Sequence, residues 1–258
     1  MKRIKWVIPL LIAGACIPGF PSCPLAQQPI PGPSPASEIP PLPGMLQPFP
    51  RQSQSPLSVE KVGPGLFRLG KIEIDKKKRA VRFPAQVNMD KGLLEYVLVR
   101  SSGKVHESLL RTAVEPYHLQ IALLLLGFEG TDRPLTFQGD PERPKGEPIE
   151  IIITDSREKD GNPIGQSLKV KAEEWVARRI DNDLKDAGAL DWVYTGSLVV
   201  QGRFLAQSDG SVVALYHDPA ALIDNASPGG ESDEIWFVKE GVVPPVGTPV
   251  TVTIKAKP

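Results

Sequence analysis

The chain has 258 residues with 30 basic and 30 acidic side chains, a formal net charge of zero. That balance supplies no field for tracking a phosphate backbone and argues against nucleic-acid binding. The length allows one or two domains, and a single domain of about 190 residues can bury a core unaided.

Met1-Lys2-Arg3-Ile4-Lys5 is a basic start, and the apolar run from Trp6 to Ala15 is too short for the roughly 20 residues of a spanning helix. Residues 1–26 therefore read as a signal peptide cut after Ala26, which makes the mature protein exported, either periplasmic or secreted. The competing reading is a lipoprotein, because Ala13-Gly14-Ala15 precedes Cys16; otherwise no membrane span is expected in the mature chain. With the cut after Ala26, both cysteines leave with the signal, so no disulfide, cysteine nucleophile or cysteine-held iron or zinc is expected. Loss of Lys2, Arg3 and Lys5 leaves 27 basic against 30 acidic residues, a net of −3.

From Gln27 to Pro56 ten of thirty residues are proline, a semi-rigid spacer by composition. The folded domain is expected over residues 57–258. Ile72 to Asp75 and Ala80 to Phe83 alternate with period two around Lys76-Lys77-Lys78-Arg79, which predicts two strands and a charged turn, with Pro84 ending the second strand. Leu93 to Arg100 predicts a third strand. Pro116 in a first turn, Glu115 at the positive end of the dipole and Gly127 as a stop bracket a helix that is apolar nearly all round.

Thr131 to Glu147 reads as a loop, and Ile149 to Thr154 as a central β-branched strand. Val176, Ile180 and Leu184 recur at helical spacing after Glu173 and Glu174, which predicts a helix. Asp218-Pro219 before Ala220 to Ile223 predicts a short capped helix. Further strands are expected at Trp192 to Val200, Phe204 to Ala206, Ser211 to Tyr216, Ile235 to Val238 and Val250 to Ile254. The sum is an α+β domain: a mixed or antiparallel sheet with a short buried helix and one or two further helices.

Phe83-Pro84-Ala85, Asn88, Gly92-Leu93-Leu94-Glu95-Tyr96, Gly103-Lys104-Val105-His106-Glu107-Ser108-Leu109 and the run His118 to Gly127 resemble the YdjY-like domain family of exported bacterial proteins. Asp191 to Ser197 and His217-Asp218-Pro219 to Asn225 are similar as well. The resemblance implies an exported domain without an established activity. Through relatives linked to ferredoxin-type iron-sulfur modules it also suggests a redox accessory role, although this chain has no cysteine cluster of its own.

Three sets of residues are chemical candidates. His106, Glu107 and His118 could meet across the loop after the third strand and, with His217, hold a divalent zinc or iron. Against this, Leu110 stands where His-Glu-x-x-His would need its second histidine, and imidazoles beside a carboxylate also serve simply to tie down loops. Asp218 is as readily a helix cap. Ser108 and Ser197 stand outside any Gly-x-Ser-x-Gly elbow. Trp175, Trp192 and Trp236 suit core packing better than a sugar-binding face.

The reading that follows is a non-catalytic envelope module binding an unknown protein or small ligand at the rim formed by residues 103–108, including His106, Glu107 and Ser108, and the helix start at His118. The alternative is a metal-dependent or redox-linked enzyme using the histidines as ligands and Glu107 as ligand or base. No cofactor is expected beyond such a metal.

Overall fold

Strand β4 (Ala80–Val87) is the seam on which the domain closes: it pairs antiparallel with the C-terminal strand on one side and with a strand from mid-chain on the other. The computed structural model describes residues 58–257 apart from 156–157, 160–161 and 164–167, so the segments expected to be a signal peptide and a proline-rich spacer lie outside the described residues.

Before β4 come β1 (Val59–Gly63), β2 (Leu66–Leu69) and β3 (Ile72–Asp75), an antiparallel meander. The β3–β4 turn forms at the charged cluster because Asp75 Oδ1 accepts the backbone N–H groups of Lys77 and Lys78. Next are β5 (Tyr96–Arg100) and β6 (Ser108–Thr112), which run parallel and are joined by a short return containing a 3₁₀ turn at Val105–Glu107. Helix α1 (Pro116–Leu125) follows, then β7 (Glu147–Asp155), a two-residue pair β8 (Glu158–Lys159) and β9 (Asn162–Pro163), and β10 (Lys169–Lys171).

Beyond a 3₁₀ turn at Ala172–Trp175 lie β11 (Val176–Ile180), β12 (Asp183–Asp186), β13 (Trp192–Tyr194), β14 (Val199–Val200) and β15 (Arg203–Phe204). A five-residue α2 (Leu205–Asp209), β16 (Ser211–Ala214), β17 (Ile223–Asn225), β18 (Trp236–Val238) and β19 (Pro249–Ala256) complete the chain.

The strand order β4-β19-β7-β13-β17-β16-β5-β6 returns to β4 through Gln86 opposite Arg111 and Val87 opposite Leu110. This is a closed eight-stranded barrel, small enough for side chains to fill its interior. Val97, Leu98, Ile151, Ile153, Val252 and Ile254 belong to the main core, and Trp175, Trp192 and Trp236 are buried in it. Trp192 Nε1 donates to Glu173 Oε2 and Trp236 Nε1 to the Gly229 carbonyl, so the core reading of these tryptophans holds. Among the described residues no helix is long and apolar enough to cross a membrane.

The α+β expectation is overturned: 41% of the structure is strand and 12% helix, and the sheet closes on itself. The helix expected over Glu173 to Leu184 is instead the β11–β12 hairpin. Asp181 and Asn182 turn the chain with φ of 51° and 68°, and Ile180 and Leu184 stay exposed, so their helical spacing marks no buried face. The helix expected after Asp218 is a turn leading into β17. Asp218 Oδ1 accepts the Ala220 N–H as a cap would, but Ile223 is taken by the sheet.

Residues 205–206, expected as strand, open α2. Pro84 does not end β4. Its carbonyl accepts from Thr112 Oγ1, and on that side the pairing with β3 has stopped at Arg82 while the pairing with β6 begins at Gln86, so no ladder donor is required there. Helix α1 has the expected bounds, and Gly127 stops it at φ 75°. It buries Leu119, Ala122 and Leu123 but leaves Leu124 and Leu125 exposed, so it is not buried all round.

Candidate functional site

Along β5 the adjacent Val97 and Leu98 both enter the main core, whereas Tyr96 and Val99 join Ala214 and Ala221 in a second, smaller cluster with Val105 packed on it; simple alternation is broken where the β5–β16 register shifts. The long connection between α1 and β7 contributes Gln138, Gly139 and Asp140 to the same region. Three elements distant in sequence thus meet around one phenol.

The Tyr96 hydroxyl donates to Asp218 Oδ2 at 2.8 Å and accepts from Lys104 Nζ at 2.6 Å; Gln138 Nε2 lies 3.3 Å away. The ammonium of Lys104 also sits over the Tyr96 ring, 4.9 Å from its centroid, and donates to Gln138 Oε1 at 3.2 Å. Burial, and then the Asp218 charge, raise the phenol far above the ordinary tyrosine range, so Tyr96 serves as a fixed donor.

Beneath it the network continues through the backbone. Asp224 accepts the N–H groups of Asp218 at 3.0 Å and Asn225 at 2.7 Å and is wholly buried; burial holds its carboxyl well above the usual range, with the Asp218 charge pushing the same way. His217 is also buried. Its Nδ1 lies 2.7 Å from the Asp140 carbonyl oxygen and its Nε2 2.9 Å from that of Asn225.

Above the phenol the groups reach solvent. Gln138 Nε2 donates to Glu95 Oε2 at 3.1 Å. The Glu95 carboxyl is raised first by burial and then by the adjacent Glu107 carboxylate, with Lys104 opposing. His106 Nε2 is 3.3 Å from Glu107 Oε2, and the His106 side chain is 76% exposed. Burial, and then the Asp233 charge, raise the Tyr216 phenol as well, and Asp233 also acts on Glu95. The result is a rim of carboxyl groups around one lysine, braced from below by Tyr96 and Asp218.

Of the residues singled out from sequence, His106 and Glu107 are on this rim together. Ser108 is buried beside them and its hydroxyl donates to the Leu110 carbonyl. His118 is elsewhere: it sits in the first turn of α1, beyond the far end of β6, with Tyr117 as its ring neighbour at 6.4 Å. The five residues of β6, at about 3.3 Å each, separate it from His106. His217 has both ring nitrogens against carbonyls.

Among the described residues no three His, Cys, Asp or Glu side chains are grouped so as to hold a metal ion, so His106, His118 and His217 are not brought to one point. Ser197 Oγ donates to the Ala220 carbonyl and accepts the Ala206 N–H. The sequence reading passed over Tyr96, Lys104, Gln138 and Asp224. Lys104 and Tyr96 stand within the motifs that carried the resemblance, which was the only signal for them.

A closed barrel with a half-buried polar rim on its outer wall defines a mainly β, single-barrel module. The sequence model of the YdjY domain matches residues 72–255, and the chain belongs to that family. No curated protein and no solved structure matches the chain.

Proposed function

We propose that this protein is an exported, non-catalytic envelope module that binds a partner or small ligand at the rim where Glu95, Lys104, His106, Glu107 and Gln138 meet. The observation that carries the reading is the fixed chain Lys104 to Tyr96 to Asp218: buried partners hold a cation and two carboxyl groups in a set geometry at a solvent-facing edge. The hydroxyls of Ser108 and Ser197 and the imidazole of His217 are committed to backbone partners, which favours recognition over nucleophilic chemistry. Export is supported by the basic start and apolar run of the first 26 residues and by the proline-rich spacer after them.

The test is cross-linked capture from the producing cell's envelope, comparing the unaltered chain with a Glu95→Gln, Glu107→Gln double variant whose thermal midpoint is checked to be unchanged. A partner captured by the first and lost by the second supports the rim. Equal capture of the same partner by both would place the interaction elsewhere.

A further inference from the structure

A broad concavity of the described domain lies away from the rim. The β1–β3 meander curls beside the outer face of β4, β19 and β7 and leaves a cleft of about 640 Å³, within the range of small-molecule sites. Val62, Leu66, Phe67 and Ile152 give it an apolar lining, with Val62 47% and Leu66 42% exposed.

Charge sets the other half of the chemistry. Five cations line the cleft against two carboxylates, Glu73 and Asp75. Arg82 is 3.8 Å from Glu73, Lys78 3.6 Å from Asp75, and Lys255 2.7 Å from Glu150. Arg68 and Lys169 have no ion-pair partner among the described residues. An apolar lining with two uncommitted cations calls for an apolar body carrying an anionic head.

Backbone accounting narrows the class. β2 pairs with β1 and β3, β3 with β2 and β4, β4 with β3 and β19, and β19 with β4 and β7. The middle of the cleft therefore presents side chains and no open ladder, and the free strand edges, those of β1 and β10, lie only at its margins. From the apolar lining and its excess of cations we infer that the cleft is a binding site for a free single-chain acidic amphiphile of the fatty-acid class, its tail against Leu66, Phe67 and Ile152 and its carboxylate at the basic lining, where Arg68 and Lys169 are the cations without an ion pair among the described residues. The site is independent of the rim.

Titration calorimetry of the full chain with laurate and with uncharged 1-dodecanol tests it. One laurate per chain is expected, bound at least about tenfold more tightly than the alcohol. An Arg68→Ala, Lys169→Ala variant should bring laurate down to the alcohol's affinity, and Leu66→Asp should weaken both ligands. All three substitutions are at exposed positions, and an unchanged thermal midpoint verifies the fold. Absence of laurate binding, equal affinity for the two ligands, or laurate binding that neither variant alters would overturn the proposal. Co-sedimentation with anionic vesicles without binding of free laurate would overturn it in favour of a membrane surface.

Discussion

The Tyr96 hydroxyl reaches Asp218 Oδ2 at 2.8 Å across 122 residues of sequence, and neither side chain is open to water: Tyr96 is 0% and Asp218 5% exposed. Removing the hydroxyl by Tyr96→Phe leaves a buried carboxylate oxygen without that donor and Lys104 with Gln138 Oε1 as its remaining acceptor. The expected loss is about 1–3 kcal/mol in urea unfolding. Lys104→Met, which leaves the Tyr96–Asp218 bond in place, should cost less, and the reverse order would contradict this account of the network.

Asp224 gives the network a pH dependence. Its folded pKa is raised, chiefly by burial, so its contribution to stability is full below the ordinary aspartate value of about 3.9 and is lost as pH rises through the folded value. Glu95 is shifted in the same direction and acts alongside it. Stability of the unaltered chain minus that of Asp224→Asn should therefore fall from pH 4 upward. A difference that rises with pH would reverse the sign of the shift.

The histidines should separate cleanly in stability measurements. His106→Ala, at a 76% exposed side chain, is expected within about 0.5 kcal/mol of the parent. His217→Ala removes two buried contacts to carbonyls and should cost about 2–4 kcal/mol. Gly230→Ala tests the same packing with the histidine itself retained, because a Cβ there would meet the His217 imidazole and, at 2.7 Å, the Asn225 carbonyl oxygen. A loss of about 1–3 kcal/mol is expected.

Arg79 locks the end of α1. Its Nε and Nη2 donate to the Leu126 and Gly127 carbonyls at 3.3 and 3.1 Å, its guanidinium stands 4.6 Å from the Phe128 ring centroid, and it pairs with Glu147 at 2.8 Å. Arg79→Lys keeps the charge but loses the planar fork. It should lower stability by about 1–2 kcal/mol and speed amide exchange in the last turn of α1 more than elsewhere.

Local signals carried the sequence reading where they had a single meaning. The Asp75 turn and the Pro116 and Gly127 ends of α1 are where the residues predict them, because turn and cap chemistry is decided by neighbours. Val176, Ile180 and Leu184 misled because three residues at spacing four fit one helix face and a two-strand hairpin alike, and only the left-handed Asp181-Asn182 pair distinguishes them.

Barrel closure was out of reach, since pairing Val87 with Leu110 and Pro249 with Gln86 depends on strand order that no local pattern encodes. The rim was half legible. His106 and Glu107 drew notice as titratable neighbours, whereas Tyr96 and Asp224 gain their roles from burial by the 128–146 connection and β17. Residue type alone does not reveal that.

Hydrogen exchange of the full chain, before and after incubation with envelope extract and re-isolation, tests the binding rim most directly. The account predicts slowed exchange in residues 94–108 and 136–140, with α1 unchanged and the effect absent in the Glu95→Gln, Glu107→Gln variant. Protection confined to α1 or to the face around His118, or no change at the rim, would contradict it.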